Sequence, residues 1–138
     1  MSEPLFLTFE EVQTLHVLSI ERFGGLHGIR DQGGVEAAVE QPKNTFYYGG
    51  NDLFDVAAAY AFHIAQAQAF LDGNKRTGVA AALAFLERNN LKAIFDWQLL
   101  YRAMIDIAER RCDKRISRGF FARRFLTPRP RERSEQYI

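Results

Sequence analysis

The sequence is poor in the residues that build disulfide frameworks and metal clusters. It contains one cysteine, Cys112, and three histidines. Disulfides need paired cysteines and structural zinc needs Cys and His at ligand spacing, so we expect neither. A long apolar run is also missing, because residues 79–86 are too few to cross a bilayer. The start, MSEPLFL, lacks the basic flank of a secretory signal. These absences favour a soluble, cytoplasmic protein without membrane contact.

Acidic residues are scarce in the last fifth of the chain. The net charge of +1 combines 8 Lys and Arg against 14 Asp and Glu in residues 1–109 with 10 against 3 in residues 110–138. Such a basic end can bind nucleic acid or an acidic partner. Apolar residues at Ile116, Phe120 and Phe125 favour instead a helix packed on the core with its arginines in solvent. We therefore do not expect nucleic acid as a partner.

Apolar residues recur mostly at helical spacing, which predicts an all-α fold. A length of 138 residues with 47% hydrophobic composition suits one domain. We place it at residues 1–126 and expect residues 127–138 to be a disordered basic tail. About six helices are predicted, the last two after Asp96 and over residues 116–126.

Local signals divide the first two thirds of the chain. Thr8 and Glu11 form a capping box ahead of a helix that buries Val12, Leu15, Leu18 and Phe23. A glycine-rich loop follows, and then a short helix that stops at Pro42. Residues 45–52, TFYYGGND, hold β-prone aromatics before two glycines, so we expect a small β-hairpin or an exposed flap. Asp52 and Asp55 are candidate caps for the next helix.

The stretch FLDGNKRTG, residues 70–78, has the composition of an anion-binding turn. The first N–H groups of a helix that starts at Asn74 have no intrahelical partner and carry partial positive charge. Lys75 and Arg76 add full charges, although cations at a helix start are electrostatically unfavourable unless an anion is bound. Asp72 suits Mg²⁺ on a bound di- or triphosphate. An Asp that merely caps the helix and two solvent-facing cations are the simpler alternative.

These residues resemble the motif of the Fic/Doc, or Fido, superfamily, which runs His-x-Phe-x-Asp/Glu-Gly/Ala-Asn. The Doc branch continues with Lys-Arg, as here, and the Fic branch with Gly-Arg-x-x-Arg. The segments FGGLHGIRDQGGVEAAVEQP and LFDVAAAYAFHIA are also similar to Doc-type (death-on-curing) toxins, so the resemblance covers roughly residues 5–125.

The resemblance implies roles for the residues of the turn. Asp72 would bind the metal, Gly73 and Asn74 would form the anion-binding turn, and Lys75 and Arg76 would hold the phosphates of ATP. Doc-type proteins act as kinases on a protein hydroxyl, the family's known target being a threonine of elongation factor Tu. The flap that positions the target would be TFYYGGND, which contains Tyr47 and Tyr48. An equally good interpretation is that both tyrosines are aromatics that pack in the core or in the loop.

One residue departs from the family motif. The position of its histidine, the general base, is occupied by Gln68, and an amide cannot accept a proton near neutral pH. His63 lies five residues earlier, about 140° around the predicted helix. The sequence does not place His16 or His27 near the turn, and both are expected to be ordinary loop or surface residues. As a base, Asp72 would be weakened by a bound metal.

Two enzymatic and two non-enzymatic functions remain open at this point. The enzymatic ones are a Doc-type toxin with impaired kinase activity and adenylyl transfer in the Fic manner. The others are a non-catalytic module that binds nucleotide or antitoxin, and nucleic-acid binding through the basic residues 110–138, which we consider the least favoured. The self-inhibiting Fic motif, Ser/Thr-x-x-x-Glu-Gly/Asn, has no match in the sequence. The resemblance therefore implies inhibition by another chain, a Phd-like antitoxin.

Overall fold

The structure is a computed structural model that describes residues 3–49 and 52–91. Four helices follow one another there: α1 (Phe9–Phe23), α2 (Gln32–Gly49), α3 (Leu53–Ala67) and α4 (Asn74–Arg88). Within these residues, β pairing is limited to an isolated antiparallel bridge between Ile29 and Phe70. The all-α prediction is confirmed for this part of the chain. The two further predicted helices and the basic tail lie outside the described residues.

Side-chain caps define the starts of α1 and α3. The Thr8 hydroxyl accepts from the Glu11 N–H at 3.1 Å, and the Glu11 carboxylate accepts from the Thr8 N–H at 2.8 Å. This reciprocal pair is the predicted capping box. The Asp52 carboxylate accepts from the Phe54 N–H at 2.8 Å and caps α3. Both caps are local in sequence, which explains why they were predictable.

The core lies mainly between α3 and α4. On α3, Val56 to Tyr60 are completely buried, and on α4 the fully buried residues include Ala81, Phe85 and Leu86. The two backbones approach closely at Gly78, where a Cβ atom would lie 2.7 Å from the carbonyl oxygen of Ala61. Helix α2 packs on α3, and α1 packs mainly on α4. We expected α4 in the middle of the bundle, and both α3 and α4 are central in the described residues.

The face that α1 buries is offset from the predicted one. Its buried residues are Val12, His16, Ser19 and Ile20. Leu18 and Phe23, which we expected in the core, are 55% and 52% exposed. A polar His and Ser on the buried face hide the true periodicity, because a pattern of apolar residues alone does not include them.

The N-terminal segment is bonded to the middle of α3 and to the end of α4. The Leu7 N–H donates to the Tyr60 hydroxyl at 2.8 Å in a buried position. Burial raises the pKa of Tyr60 to about 12, so this hydroxyl stays neutral. At the end of α4, Arg88 donates to the carbonyl of Phe6 at 3.2 Å and pairs with the Glu11 carboxylate. The start and the end of the described domain are thereby joined.

The predicted end of the second helix and the predicted hairpin are both wrong over residues 42–49. Helix α2 continues through Pro42 to Gly49, so Tyr47 and Tyr48 lie in its last turn. Proline removes one backbone hydrogen bond, but Pro42 and Phe46 are buried on the same face of the helix. The Phe46 ring packs edge-on against Phe6 at a centroid distance of 6.0 Å. Burial along this face overrides the β propensity of the aromatic run.

None of the described helices is long and apolar enough to cross a membrane.

Candidate functional site

An open cleft of about 510 Å³ lies at the start of α4. Its lining includes every residue that we predicted for the anion-binding turn. It also includes Gln68 and one residue that the sequence analysis did not single out, Arg30. The full lining is Arg30, Ala65, Gln68, Leu71, Asp72, Gly73, Asn74, Lys75 and Arg76. Three of these side chains are cationic and one is a carboxylate, so the cleft has a net positive charge.

The start of α4 exposes backbone donors to this cleft. Gly73 is the N-cap residue, with φ 76° in the left-handed region, and no side chain caps the helix. The first intrahelical bond of this turn runs from the Thr77 N–H to the Gly73 carbonyl at 2.9 Å. The backbone N–H groups that precede Thr77 in the first turn of α4 have no intrahelical acceptor. Uncapped N–H groups and the helix dipole make this turn suitable for an anion.

The side chain of Asn74 braces the turn. Its Oδ1 accepts from the Phe70 N–H at 2.9 Å, and its Nδ2 donates to the Phe70 carbonyl at 3.0 Å. Both ends of the amide are therefore engaged with one backbone residue of the preceding loop. Asn74 can contribute its backbone N–H to a ligand, while its side chain fixes the shape of the turn.

Asp72 joins the turn to the glycine-rich loop. Its Oδ2 accepts from the Leu26 N–H at 2.8 Å. The loop reaches it because Gly25 has φ 117°, and a Cβ atom there would lie 3.2 Å from Cβ of Asp72. The carboxylate is half-buried and lines the cleft. A side chain held in this way is oriented before any ligand binds.

The two cations of the turn differ in their surroundings. Lys75 is exposed. Arg76 is half-buried, donates from Nη2 to the Gly24 carbonyl at 3.0 Å, and has its guanidinium carbon 5.5 Å from the centre of the Phe23 ring. Arg76 is thus positioned by the glycine-rich loop, whereas Lys75 has the freedom of a solvent-exposed chain.

Gln68 lies just beyond the end of α3. It is the C-cap residue, with φ 50° and ψ 41° in the left-handed region, and its side chain is exposed at the cleft. The helical angle between Gln68 and His63 therefore does not apply, because Gln68 is outside the helix. Gln68, at the position where the family resemblance places a base, nevertheless lines the same cleft as the residues of the turn.

Backbone pairing holds the glycine-rich loop against the motif. The Arg30 and Asp31 N–H groups both donate to the Ala69 carbonyl, at 2.7 and 3.0 Å, and the Leu71 N–H donates to the Gly28 carbonyl at 3.0 Å. This pairing brings Arg30 to the cleft. Sequence reasoning missed Arg30, because no local signal shows that residues 28–31 pair with residues 69–71.

His16 is the second residue that sequence reasoning missed. It is buried, donates from Nε2 to the Asp72 carbonyl at 2.7 Å, and stacks on the Phe70 ring at a centroid distance of 3.9 Å. Burial lowers the pKa of His16, while the bond to Asp72 acts in the opposite direction. The expectation of an ordinary surface residue is therefore wrong for His16, which supports the turn from below. The sequence held one local signal for this role, the spacing of four residues that separates His16 from both Val12 and Ile20 and places the three on one face of α1.

The remaining candidates lie away from the cleft lining. His63 is half-buried on α3, and His27 is exposed in the glycine-rich loop. Tyr47 packs against Phe6 at a centroid distance of 6.2 Å, and Tyr48 is 87% exposed. Both tyrosines lie at the C-terminal end of α2. The N-terminal end of this helix is the one beside the motif, because the preceding Asp31 donates to the Ala69 carbonyl. Their role in docking a target stays a prediction.

The described residues contain no cluster of three or more His, Cys, Asp or Glu side chains that could hold a metal ion on their own. Mg²⁺ does not need such a cluster, since it commonly uses one or two carboxylates, waters and the phosphates of a substrate. Asp72 satisfies this requirement: its Oδ1 accepts no hydrogen bond from the described residues, and it faces a cleft that suits phosphates.

The described residues thus form an all-helical domain with an uncapped, cation-bearing turn at the start of α4. The Fic/DOC family model matches residues 6–86, more than half of the chain, which therefore belongs to this family. Two relatives carry Doc names. The chain is 41% identical over 88 residues to "Protein kinase doc" of Escherichia phage P1, covering 63% of this chain and 69% of the relative. It is 40% identical over 114 residues to "Toxin Doc" of Mycolicibacterium smegmatis, covering 78% and 84%.

Proposed function

We propose that this chain is a Doc-type toxin whose cleft binds ATP with Mg²⁺ for phosphoryl transfer to a protein Ser or Thr hydroxyl. The observation that supports this most strongly is the uncapped start of α4, with Lys75 and Arg76 in its first turn, at a cleft of about 510 Å³. Two adjacent cations at the positive end of a helix dipole are unfavourable unless an anion is present. The name of the phage relative, a protein kinase, agrees with phosphoryl transfer, and the name of the mycobacterial relative agrees with a toxin.

The residues of the cleft divide the binding of ATP between them. The backbone N–H groups of the turn from Gly73 donate to no side-chain cap and are available to phosphate oxygens. Lys75 and Arg76 neutralise phosphate charge, and the guanidinium of Arg76 can hold two oxygens at once. Asp72 would hold Mg²⁺, which supplies charge neutralisation on the phosphates.

Phosphoryl transfer requires a group that accepts a proton. The hydroxyl oxygen of the target attacks the γ-phosphorus, the bond to the β–γ bridging oxygen breaks, and ADP leaves with that electron pair. The proton of the hydroxyl must pass to a base. Gln68 can orient the hydroxyl through its amide but cannot accept this proton. We infer that transfer by this chain is strongly impaired while nucleotide binding is retained.

The partners follow from the family resemblance. We propose that the target is a cytoplasmic protein such as elongation factor Tu, whose modification would stop translation. Control would come from a Phd-like antitoxin, since the sequence lacks the self-inhibiting Fic motif. Such an antitoxin would cover the cleft with a segment that folds on binding.

A non-catalytic nucleotide- or antitoxin-binding module is the second candidate, and Gln68 is the observation that favours it. In that case the phosphate site would be used for binding alone. Restoring a base separates the two candidates, because a retained catalytic site would regain transfer and a module that has lost other catalytic features would not.

Calorimetric titration with ATP and Mg²⁺ tests the phosphate site directly. Arg76→Ala and Asn74→Ala should each weaken binding at least about tenfold, since one removes a charged donor and the other removes the brace of the turn. Lys43→Ala is a matched control, because this cation pairs with Glu40 on α2 and does not line the cleft. Unchanged binding by both site variants would refute the assignment.

A further inference from the structure

Arg30 is held rigidly at the cleft by its backbone. Its N–H donates to the Ala69 carbonyl at 2.7 Å, and the preceding residue, Ile29, forms the antiparallel bridge with Phe70. The following residue, Asp31, also donates to Ala69 and accepts from the Gly34 N–H at 3.0 Å, which caps α2. The main chain on both sides of Arg30 is therefore fixed to the loop that carries Gln68 and the turn.

The side chain of Arg30 has no protein partner in the described part of the chain. The ion pairs there join Lys43 to Glu40 and Arg88 to Glu11, and neither involves Arg30. The carboxylate next to it in sequence, Asp31, is already engaged in capping α2. Arg30 is exposed and lines the cleft, so its five N–H donors are available to a ligand.

Arg30 comes from a different wall of the cleft than the other two cations. Lys75 and Arg76 belong to the first turn of α4, whereas Arg30 belongs to the segment that pairs with residues 69–71. Arg76 already donates to the Gly24 carbonyl. Against these three cations the lining contains a single carboxylate, Asp72. Cations on two walls suit a ligand whose negative charges are spread along its length.

We propose that Arg30 is a phosphate-binding residue that makes the cleft selective for a nucleoside polyphosphate over a nucleoside monophosphate. It holds phosphate oxygens from the loop wall while the turn of α4 holds the others from the helix wall. This inference rests on the proposed function, since it concerns the same cleft. It assigns a role to a residue outside the motif, whose backbone is fixed at the cleft and whose side chain has no partner among the described residues.

Calorimetric titrations of the chain with ATP, ADP and AMP, each with Mg²⁺, test this role. Arg30→Gln should weaken the binding of ATP about tenfold to a hundredfold, the range expected for lost hydrogen bonds to a charged group. Binding of AMP should change less than about threefold, because the helix wall still holds one phosphate. Arg30→Lys should recover part of the loss, since the charge is kept and the planar fork is not.

Two controls keep the result specific. Lys43→Gln removes one positive charge from a side chain outside the cleft and should leave all three affinities unchanged. The melting temperature of Arg30→Gln should match that of the unchanged chain, because the side chain is exposed and has no hydrogen bond or ion pair with the described residues.

The outcomes separate this inference from the proposed function. If Lys75→Gln loses ATP while Arg30→Gln binds ATP normally, the role of Arg30 is wrong and the phosphate site stands. If Arg30→Gln weakens ATP and AMP equally, selectivity for polyphosphates is wrong. If the unchanged chain binds none of the three nucleotides, both proposals are wrong.

Discussion

At the scale of single residues, Gln68 combines two unusual properties. It occupies the position at which the family resemblance places a histidine, and its backbone is left-handed, with φ 50°. A residue with a Cβ atom pays about 1–2 kcal/mol for this conformation, and a glycine does not. Glutamine at this position therefore lowers the stability of the fold, and it also removes the base that the proposed chemistry needs.

This backbone conformation predicts the effect of glycine at position 68. Gln68→Gly should raise the free energy of unfolding by about 0.5–1 kcal/mol, because relief of the left-handed strain exceeds the entropy that glycine loses. Gln66→Gly is the matched control: Gln66 lies in the last turn of α3, where glycine costs up to about 1 kcal/mol. Urea denaturation measures both. Equal destabilisation by the two variants would contradict the left-handed assignment.

Asn74 is the second residue whose role is open to test. Asn74→Ala removes two part-buried hydrogen bonds to Phe70 and should lower the free energy of unfolding by about 2 kcal/mol. Asn44→Ala, an exposed change on α2, should alter it by less than about 0.5 kcal/mol. Thermal and urea unfolding provide the measurement. A loss no greater than that of Asn44→Ala would mean that the amide does not brace the turn.

At the scale of elements, the predictable features are those set by neighbours in sequence. The capping box of Thr8 and Glu11, the cap at Asp52 and the break at Gly73 each depend on residues within four positions, and all three occur as expected. The fold class follows from the same helical periodicity. The residues of the proposed anion-binding turn line one cleft, and this grouping was predictable because they are consecutive.

What the sequence did not reveal depends on contacts between distant segments. Helix α2 continues through Pro42 because Phe46 meets Phe6, a partner 40 positions away. Arg30 enters the cleft through pairing with Ala69, and His16 supports the turn from 56 positions away. Local propensity contains no information on such contacts, so both residues were absent from the predicted site.

The close approach of α3 and α4 predicts that a Gly→Ala change is harmful at their crossing and not on α2, where space is available. Gly78→Ala should lower the free energy of unfolding by about 1–3 kcal/mol, because the new Cβ would be 2.7 Å from the Ala61 carbonyl oxygen. Gly33→Ala should raise it by about 0.5–1 kcal/mol, since Gly33 is helical and its nearest contact would be an ordinary 3.6 Å. Denaturation curves of both variants test the pair. Neutral behaviour of Gly78→Ala would exclude so close an approach of the two helices.

At the scale of the whole molecule, the Glu11–Arg88 pair links the first and last described helices. A hydrogen bond from Arg88, helped by the Thr8 N–H, lowers the pKa of Glu11 from 4.5 to about 2. The carboxylate is therefore favoured in the folded state, and its contribution to stability is complete above pH 4.5. It is lost as the pH falls from about 4.5 towards 2.

This shift predicts a pH-dependent difference between the chain and Glu11→Gln. The two side chains are 37% and 35% exposed, so after allowance for solvent screening the difference in unfolding free energy should be about 1 kcal/mol at pH 6. It should shrink steadily below pH 4.5 and vanish near pH 2. Urea titrations at pH 6, 4 and 3 provide the measurement. Glu40→Gln, which breaks the more exposed pair with Lys43, is the control, and a pH-independent difference for Glu11→Gln would contradict the assignment.

The whole account depends on a cleft that retains its phosphate site and lacks a base. The most direct measurement incubates the unchanged chain and Gln68→His with Mg²⁺, elongation factor Tu and ATP labelled at either the γ or the α phosphorus. We expect Gln68→His to transfer γ label at least about a hundredfold faster than the unchanged chain. Asp72→Ala should abolish that gain. Transfer of α label, equal γ transfer by both proteins, or no transfer by Gln68→His would each contradict the account.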